Sequence, residues 1–178
     1  MRPWRLKILP AVRAGALSSR LRGRGLRIVF TNGCFDILHV GHVALLEKAA
    51  SLGDVLFVGV NSDRSVRHLK GRGRPIVPLG ERLEMLAGLR AVDYVVPFTA
   101  PTPARLIARL RPHLLVKGAD YRAAEIVGRD TVESSGGRVV TVPLRRGHST
   151  STLIRRALRA AGARGARRAR GRPSGALS

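Results

Sequence analysis

The side chains best suited to chemistry lie together in TNGCFDILHVGH, residues 31–42. Gly33 ends an apolar run, and His39 and His42 stand three residues apart just beyond it. Three chemistries use such a pair: a metal site, a proton relay, or a cradle for phosphate. Zinc would need a third protein ligand and an open position for catalysis, or a fourth ligand for a structural site. Cys34 and Asp36 are near in sequence, but strand and turn geometry would have to bend them back. A relay lacks a neighbouring nucleophile or partner base. Phosphate fits best. At a helix start, positions i and i+3 share one face, and the free amides and positive helix end favour an anion. Two imidazole donors there would stabilise charge growing on phosphoryl oxygens during transfer. No metal site is expected among these residues.

Elements around this stretch must place it. An apolar run at 26–31 reads as a buried strand and 39–53 as the helix that follows. Strands are expected again at 54–60, 93–98, 113–118 and 138–143. Between them lie a short helix capped by Asn61 or Ser62, then helices over 79–92, 102–112 and 122–137, with a last one over 148–161. Such alternation predicts an α/β fold, a Rossmann-like doubly wound sheet of five parallel strands with helices on both faces, in a single domain. Ligands of such sheets bind at the carboxyl ends of the strands. Those ends carry TNGCFD, GVNSD, KGADY and PLRRGHSTS, so the polar and glycine residues gather where a site belongs.

Composition narrows the class. The chain has 178 residues, 44% of them hydrophobic, and one cysteine, which cannot form an internal disulfide. A cytoplasmic protein is expected, with no membrane segment, because no apolar run approaches the roughly 20 residues of a spanning helix. The net charge of +22 is uneven. Residues 1–25 hold seven basic side chains and 157–178 six, all Arg, with no acid in either stretch. The remainder, 26–156, is only +9, as suits a binder of phosphorylated ligands. The ends are therefore expected to be a basic N-terminal helix or extension, 1–25, with Val12, Leu17 and Leu21 on its packed face, and an Arg-rich disordered tail, 159–178, flanking a domain at 26–158. Nucleic-acid binding by these ends is not expected, since no stacking aromatics interleave with the arginines.

IVFTNGCFDILHVGH, VGVNSDRSVRHLKGRGRPIVP, ERLEMLAGLRAVDYVV, RPHLLVKGADY and STSTLIRR together resemble the nucleotidyltransferase superfamily. Within it the likeness, over about residues 7–156, is greatest to the adenylyltransferases of D-glycero-β-D-manno-heptose 1-phosphate. That resemblance implies that His39 and His42 contact the nucleotide phosphates and are catalytic. Lys48 is a third catalytic candidate, against the reading of an ordinary surface lysine. It further implies a nucleotide-binding set of Thr31, Asn32, Gly33, Cys34, Phe35, Asp36 and Gly41, with the Cys34 and Phe35 amides on the α-phosphate. Lys117, Gly118 and Asp120 would lie beside base and ribose, although Asp120 could instead cap a helix. Ser149, Thr150 and Ser151 would hold the β- and γ-phosphates, although Ser149 also reads as a plain N-cap. Lys70, Arg72 and Arg74, separated by glycines, would fold over the sugar phosphate or pyrophosphate, or form a solvated basic loop. His148 acquires no role.

The implied reaction uses ATP as substrate, with Mg²⁺ carried on its phosphates, and a small sugar 1-phosphate made by a separate sugar kinase. One rival is a cytidylyltransferase acting on glycerol 3-phosphate or a similar alcohol phosphate. A rival of another class is a nucleic-acid-binding protein working through its Arg-rich ends. Assembly is not legible in the sequence, and a homodimer is admitted.

Overall fold

The computed structural model of the chain describes residues 3–119, 125–143, 147 and 149–170. Five strands form one parallel sheet: β1 (Ile28–Gly33), β2 (Val55–Asn61), β3 (Tyr94–Phe98), β4 (Leu114–Gly118) and β5 (Arg138–Val142). Their order is β3-β2-β1-β4-β5. The chain therefore reverses direction across the sheet between β1 and β4, and a crevice opens there at the carboxyl ends.

Strand residues alternate between two apolar layers, because neighbouring side chains point to opposite faces. Val29, Leu56, Val58, Val95 and Val116 pack with Leu46 and Ala49 of α2 (Val40–Ala50) and with Leu83 and Leu86 of α4 (Leu79–Gly88). Ile28, Phe30, Phe57, Val96 and Leu115 pack on the other side. Their partners there are Ala14 and Leu21 of α1 (Ala11–Gly23), Ile107 and Leu110 of α5 (Ala104–Leu110) and Val132 of α6 (Arg129–Glu133). Burial on both faces is why these strands read as continuous apolar runs. Among the described residues, no helix is long and apolar enough to cross a membrane.

Several element boundaries differ from expectation. The helix read at 122–137 is reduced, among the described residues, to Arg129–Glu133, because Gly128 adopts φ +89 in front of it. Residues 120–124 lie outside the description. The last helix, α7, spans Thr150–Arg170 and so runs past 158. The packed face of α1 is Ala14, Gly15, Ser18 and Leu21, while Val12 is 69% exposed. Small residues are needed there because α5 is close: a Cβ on Gly15 would lie 2.5 Å from Arg109 Cγ. Ser18 Oγ donates to Leu110 O at 2.6 Å. Before α1, Leu9 N donates to Val95 O at 2.9 Å and Lys7 Nζ to Val92 O at 2.8 Å, so the N-terminal stretch runs along the β3 edge.

Candidate active site

The β1–α2 turn carries the histidines. His39 does not occupy the first helical turn. It is the N-cap, with extended backbone, and its Nδ1 accepts from His42 N at 3.3 Å. The cap folds the imidazole back, and the two rings stack with centroids 3.8 Å apart at 19°. Neutral imidazole has one donor and one acceptor nitrogen. An accepting Nδ1 therefore assigns the His39 proton to Nε2. On its other side His42 meets the edge of Phe35, 5.1 Å between centroids. Phe35 is buried and has φ +48, so the turn holds an aromatic residue in left-handed backbone to wedge His42 in place. Burial first, then His39 and Lys70, lower the His42 pKa to about 4. His42 is thus neutral at pH 7, and its buried Nδ1, like Thr31 Oγ1, has no hydrogen-bond partner among the described residues.

Asp36, buried in the same turn, reaches the basic loop. Its Oδ1 accepts from Ile76 N at 2.7 Å and Val77 N at 2.9 Å, and Arg74 Nε lies 2.8 Å from Oδ2. Lys70 ends α3 (Asp63–Lys70), whose N-cap is Ser62, and is exposed. Arg72 stands exposed between Gly71 and Gly73, whose φ values of +86 and +82 let the loop turn sharply twice. Burial pushes the Cys34 thiol pKa up, against the opposing pull of Lys70 and Arg82. Cys34 therefore keeps its proton at neutral pH.

Across the crevice, Lys117 Nζ donates to Asn32 Oδ1 at 2.5 Å, and Gly118 is buried at the end of β4. Asp120 and His148 lie outside the described residues. Ser149 caps α7: its Oγ accepts from Thr152 N at 3.2 Å and lies 2.9 Å from Thr152 Oγ1. Its hydroxyl is therefore engaged in the cap. Thr150 and Ser151 begin the helix. An open groove of about 320 Å³ is lined by Lys70, Arg74, Ser151, Ile154 and Arg155, joining the basic loop to α7. Gly41 is buried in the first turn of α2, whereas Lys48 is exposed in its last turn. Six residues displace Lys48 from His42 by about 9 Å along the axis and about 240° around it, so the helix does not align the two.

Two residues with no place in the sequence reading join the site. Arg155 lies four residues after Ser151 on one helical face, a spacing visible in STSTLIRR. Arg82 is fully buried, and its only sequence signal is a charge on the apolar stripe of Leu79, Leu83 and Leu86.

A family model described as cytidylyltransferase-like matches residues 30–157, from β1 into α7. The chain belongs to the cytidylyltransferase-like family. It is an enzyme of nucleotidyltransferase type, and the β1–α2 turn, the basic loop and the start of α7 all fall inside the matched segment. Curated relatives include the bifunctional protein HldE of Geobacter metallireducens, 56% identical over 141 residues, or 79% of this chain. The protein of the same name from Coxiella burnetii is 54% identical over 137 residues, or 77% of this chain. The chain spans 29% of the length of each. Among solved structures, a lipopolysaccharide core biosynthesis protein from Thermoplasma volcanium is 27% identical with a TM-score of 0.57, covering 69% of this chain and 99% of its own. A pantoate-β-alanine ligase from Francisella tularensis shares the fold, with a TM-score of 0.55 at 16% identity, covering 78% of this chain and 67% of its own.

Proposed function

We propose that this cytidylyltransferase-like domain transfers the adenylyl group of ATP to D-glycero-β-D-manno-heptose 1-phosphate, giving ADP-heptose and pyrophosphate. One observation carries the reading. The stacked His39–His42 pair at the start of α2 lies within electrostatic reach of Lys70, which together with Arg74 and Arg155 lines a groove at the first turns of α7. Lys70 belongs to both places, since it depresses the His42 pKa and lines the groove. That is an anion site large enough for a polyphosphate, with donors on two sides. The choice of sugar is supported by the motif set and by the HldE relatives at 54–56% identity over this segment. The Thermoplasma neighbour, a lipopolysaccharide core biosynthesis protein, agrees with a sugar substrate.

The sugar 1-phosphate oxygen attacks the α-phosphorus in line, and the bond to the pyrophosphate oxygen breaks. No covalent enzyme intermediate forms, and the anionic nucleophile needs no general base. In this scheme His39 donates Nε2–H to a phosphoryl oxygen, and neutral His42 supplies a dipole rather than a charge. Lys70, Arg72, Arg74 and Arg155 neutralise the pyrophosphate and sugar phosphate, while Thr150 and Ser151 present first-turn amides and hydroxyls. Gly33 and Gly41 let the backbone approach the nucleotide, with the Cys34 and Phe35 amides toward the α-phosphate. Mg²⁺ fits as an ion carried by the phosphates, because the nearby carboxylates are committed: Asp36 to the loop and Asp63 to Arg82. A sugar kinase activity would supply the acceptor.

The test is pyrophosphate release with ATP, CTP and GTP against sugar 1-phosphates and glycerol 3-phosphate. ATP with the heptose 1-phosphate is the expected productive pair. Turnover of CTP with glycerol 3-phosphate alone would move the assignment to the cytidylyltransferase alternative.

A further inference from the structure

Arg82 is a charged side chain with 0% exposure, and its guanidinium reaches four partners on three stretches of chain. Nη1 donates to Cys34 O at 2.6 Å, in the turn after β1, and to Asn61 O at 2.8 Å, at the end of β2. Nε donates to Val77 O at 3.0 Å, where the basic loop returns to α4. Nη2 pairs with Asp63 Oδ1 at 2.6 Å, in the first turn of α3. Its bonds thus join both roots of the basic loop, α3 and Val77, to the turn that precedes the histidines. Asp36 fastens the same loop from the other side through Ile76, Val77 and Arg74.

The chemistry of this node exceeds what the core requires. Burying one cation among three carbonyls and a carboxylate costs desolvation, and an apolar residue on the α4 stripe would pack without that cost. A planar fork with donors in fixed directions is suited to holding several acceptors in one geometry. Resting on the transferase reading above, we propose that Arg82 is a positioning residue that sets the distance between the nucleotide turn and the cation-bearing loop. It aligns the acceptor phosphate with the α-phosphorus without touching either.

Arg82→Lys tests this, because lysine keeps the charge beside Asp63 but cannot span the three carbonyls. Three readouts are taken on the full chain: hydrogen exchange of residues 71–78, KM for the sugar 1-phosphate against KM for ATP, and the thermal midpoint. The expected result is faster exchange in 71–78 and a rise of about tenfold in the sugar phosphate KM, larger than the change for ATP. Should Arg82→Lys not fold, Asp63→Asn loosens the same guanidinium from a partly exposed helix start, with the same changes expected on a smaller scale. Unchanged exchange in 71–78, or equal shifts in both KM values alongside a lowered midpoint, would overturn the proposal and leave Arg82 a core strut. The exchange arm needs no substrate, so loss of the heptose assignment would leave it standing.

Discussion

Lys117 Nζ and Asn32 Oδ1, 2.5 Å apart, tie β4 to β1 across the crevice where the sheet order reverses. The family resemblance implies a nucleoside contact for Lys117, and in the structure the side chain is a tether. In Lys117→Met the apolar stem remains and the charge is lost, leaving Asn32 without this donor. Stability should fall by about 1–3 kcal/mol, and the nucleotide KM should rise while the sugar phosphate KM stays near its original value. Urea unfolding and initial rates measure both; an unchanged nucleotide KM would reduce Lys117 to a structural tie.

Protonation should destabilise the fold between pH 6.5 and 4. The His42 pKa is lowered from 6.5 to about 4, so in that window the unfolded chain binds more protons than the folded one. The stabilising contribution is complete above pH 6.5, declines as pH falls, and levels off below about 4. For His42 it is on the order of 3 kcal/mol. His113 acts in the same direction: burial and nearby Arg22 and Arg27 lower its pKa, and its Nδ1 accepts from Ile28 N at 2.9 Å. Urea midpoints from pH 7.5 to 4.5 should drop for the wild type and drop less steeply for His42→Gln. Equal slopes would show that His42 titrates normally.

Removing residues 1–24 should cost more than an appendage would. Ala14, Ser18 and Leu21 leave the layer formed with Leu106, Ile107 and Leu110, and the Lys7 contacts to Leu89 O and Val92 O disappear. Leu21 alone accounts for about 1.5–3 kcal/mol of burial. The shortened chain is expected to lose several kcal/mol in chemical denaturation or to unfold outright. A soluble product with an unchanged thermal midpoint would show that the segment is separable.

The five strands and their parallel direction are legible in the sequence: β1 to β4 are buried almost throughout and read as apolar runs, while the edge strand β5, with Arg138 and Thr141 exposed, is marked by its valines and by the helices that alternate with the strands. Val55–Asn61 and Leu114–Gly118 lie within a residue of the expected strands. The fate of 122–137 is not legible, because helical composition there competes with the left-handed backbone of Gly128. In the site, the proximity of His39 and His42 follows from their spacing, but the reason does not. A capping imidazole leaves the helix face, and stacking replaces the side-by-side arrangement of i and i+3. On α1, Leu17 and Leu21 pack as expected and only Val12 is misplaced, because the small residues Ala14, Gly15 and Ser18 make the close approach to α5. Arg82 is hidden for a different reason: its four partners are spread between residues 34 and 77, and three of them are backbone carbonyls that carry no residue-type signal.

His39→Asn provides the most direct measurement. Asparagine is a good N-cap, so it keeps an acceptor for the His42 amide while removing the imidazole that donates to phosphate. Pyrophosphate release from ATP and the heptose 1-phosphate should fall by about 10²–10³, with the thermal midpoint close to that of the wild type. Turnover within about twofold of the wild type, which is under 0.5 kcal/mol in transition-state stabilisation, would contradict a phosphate role for the pair.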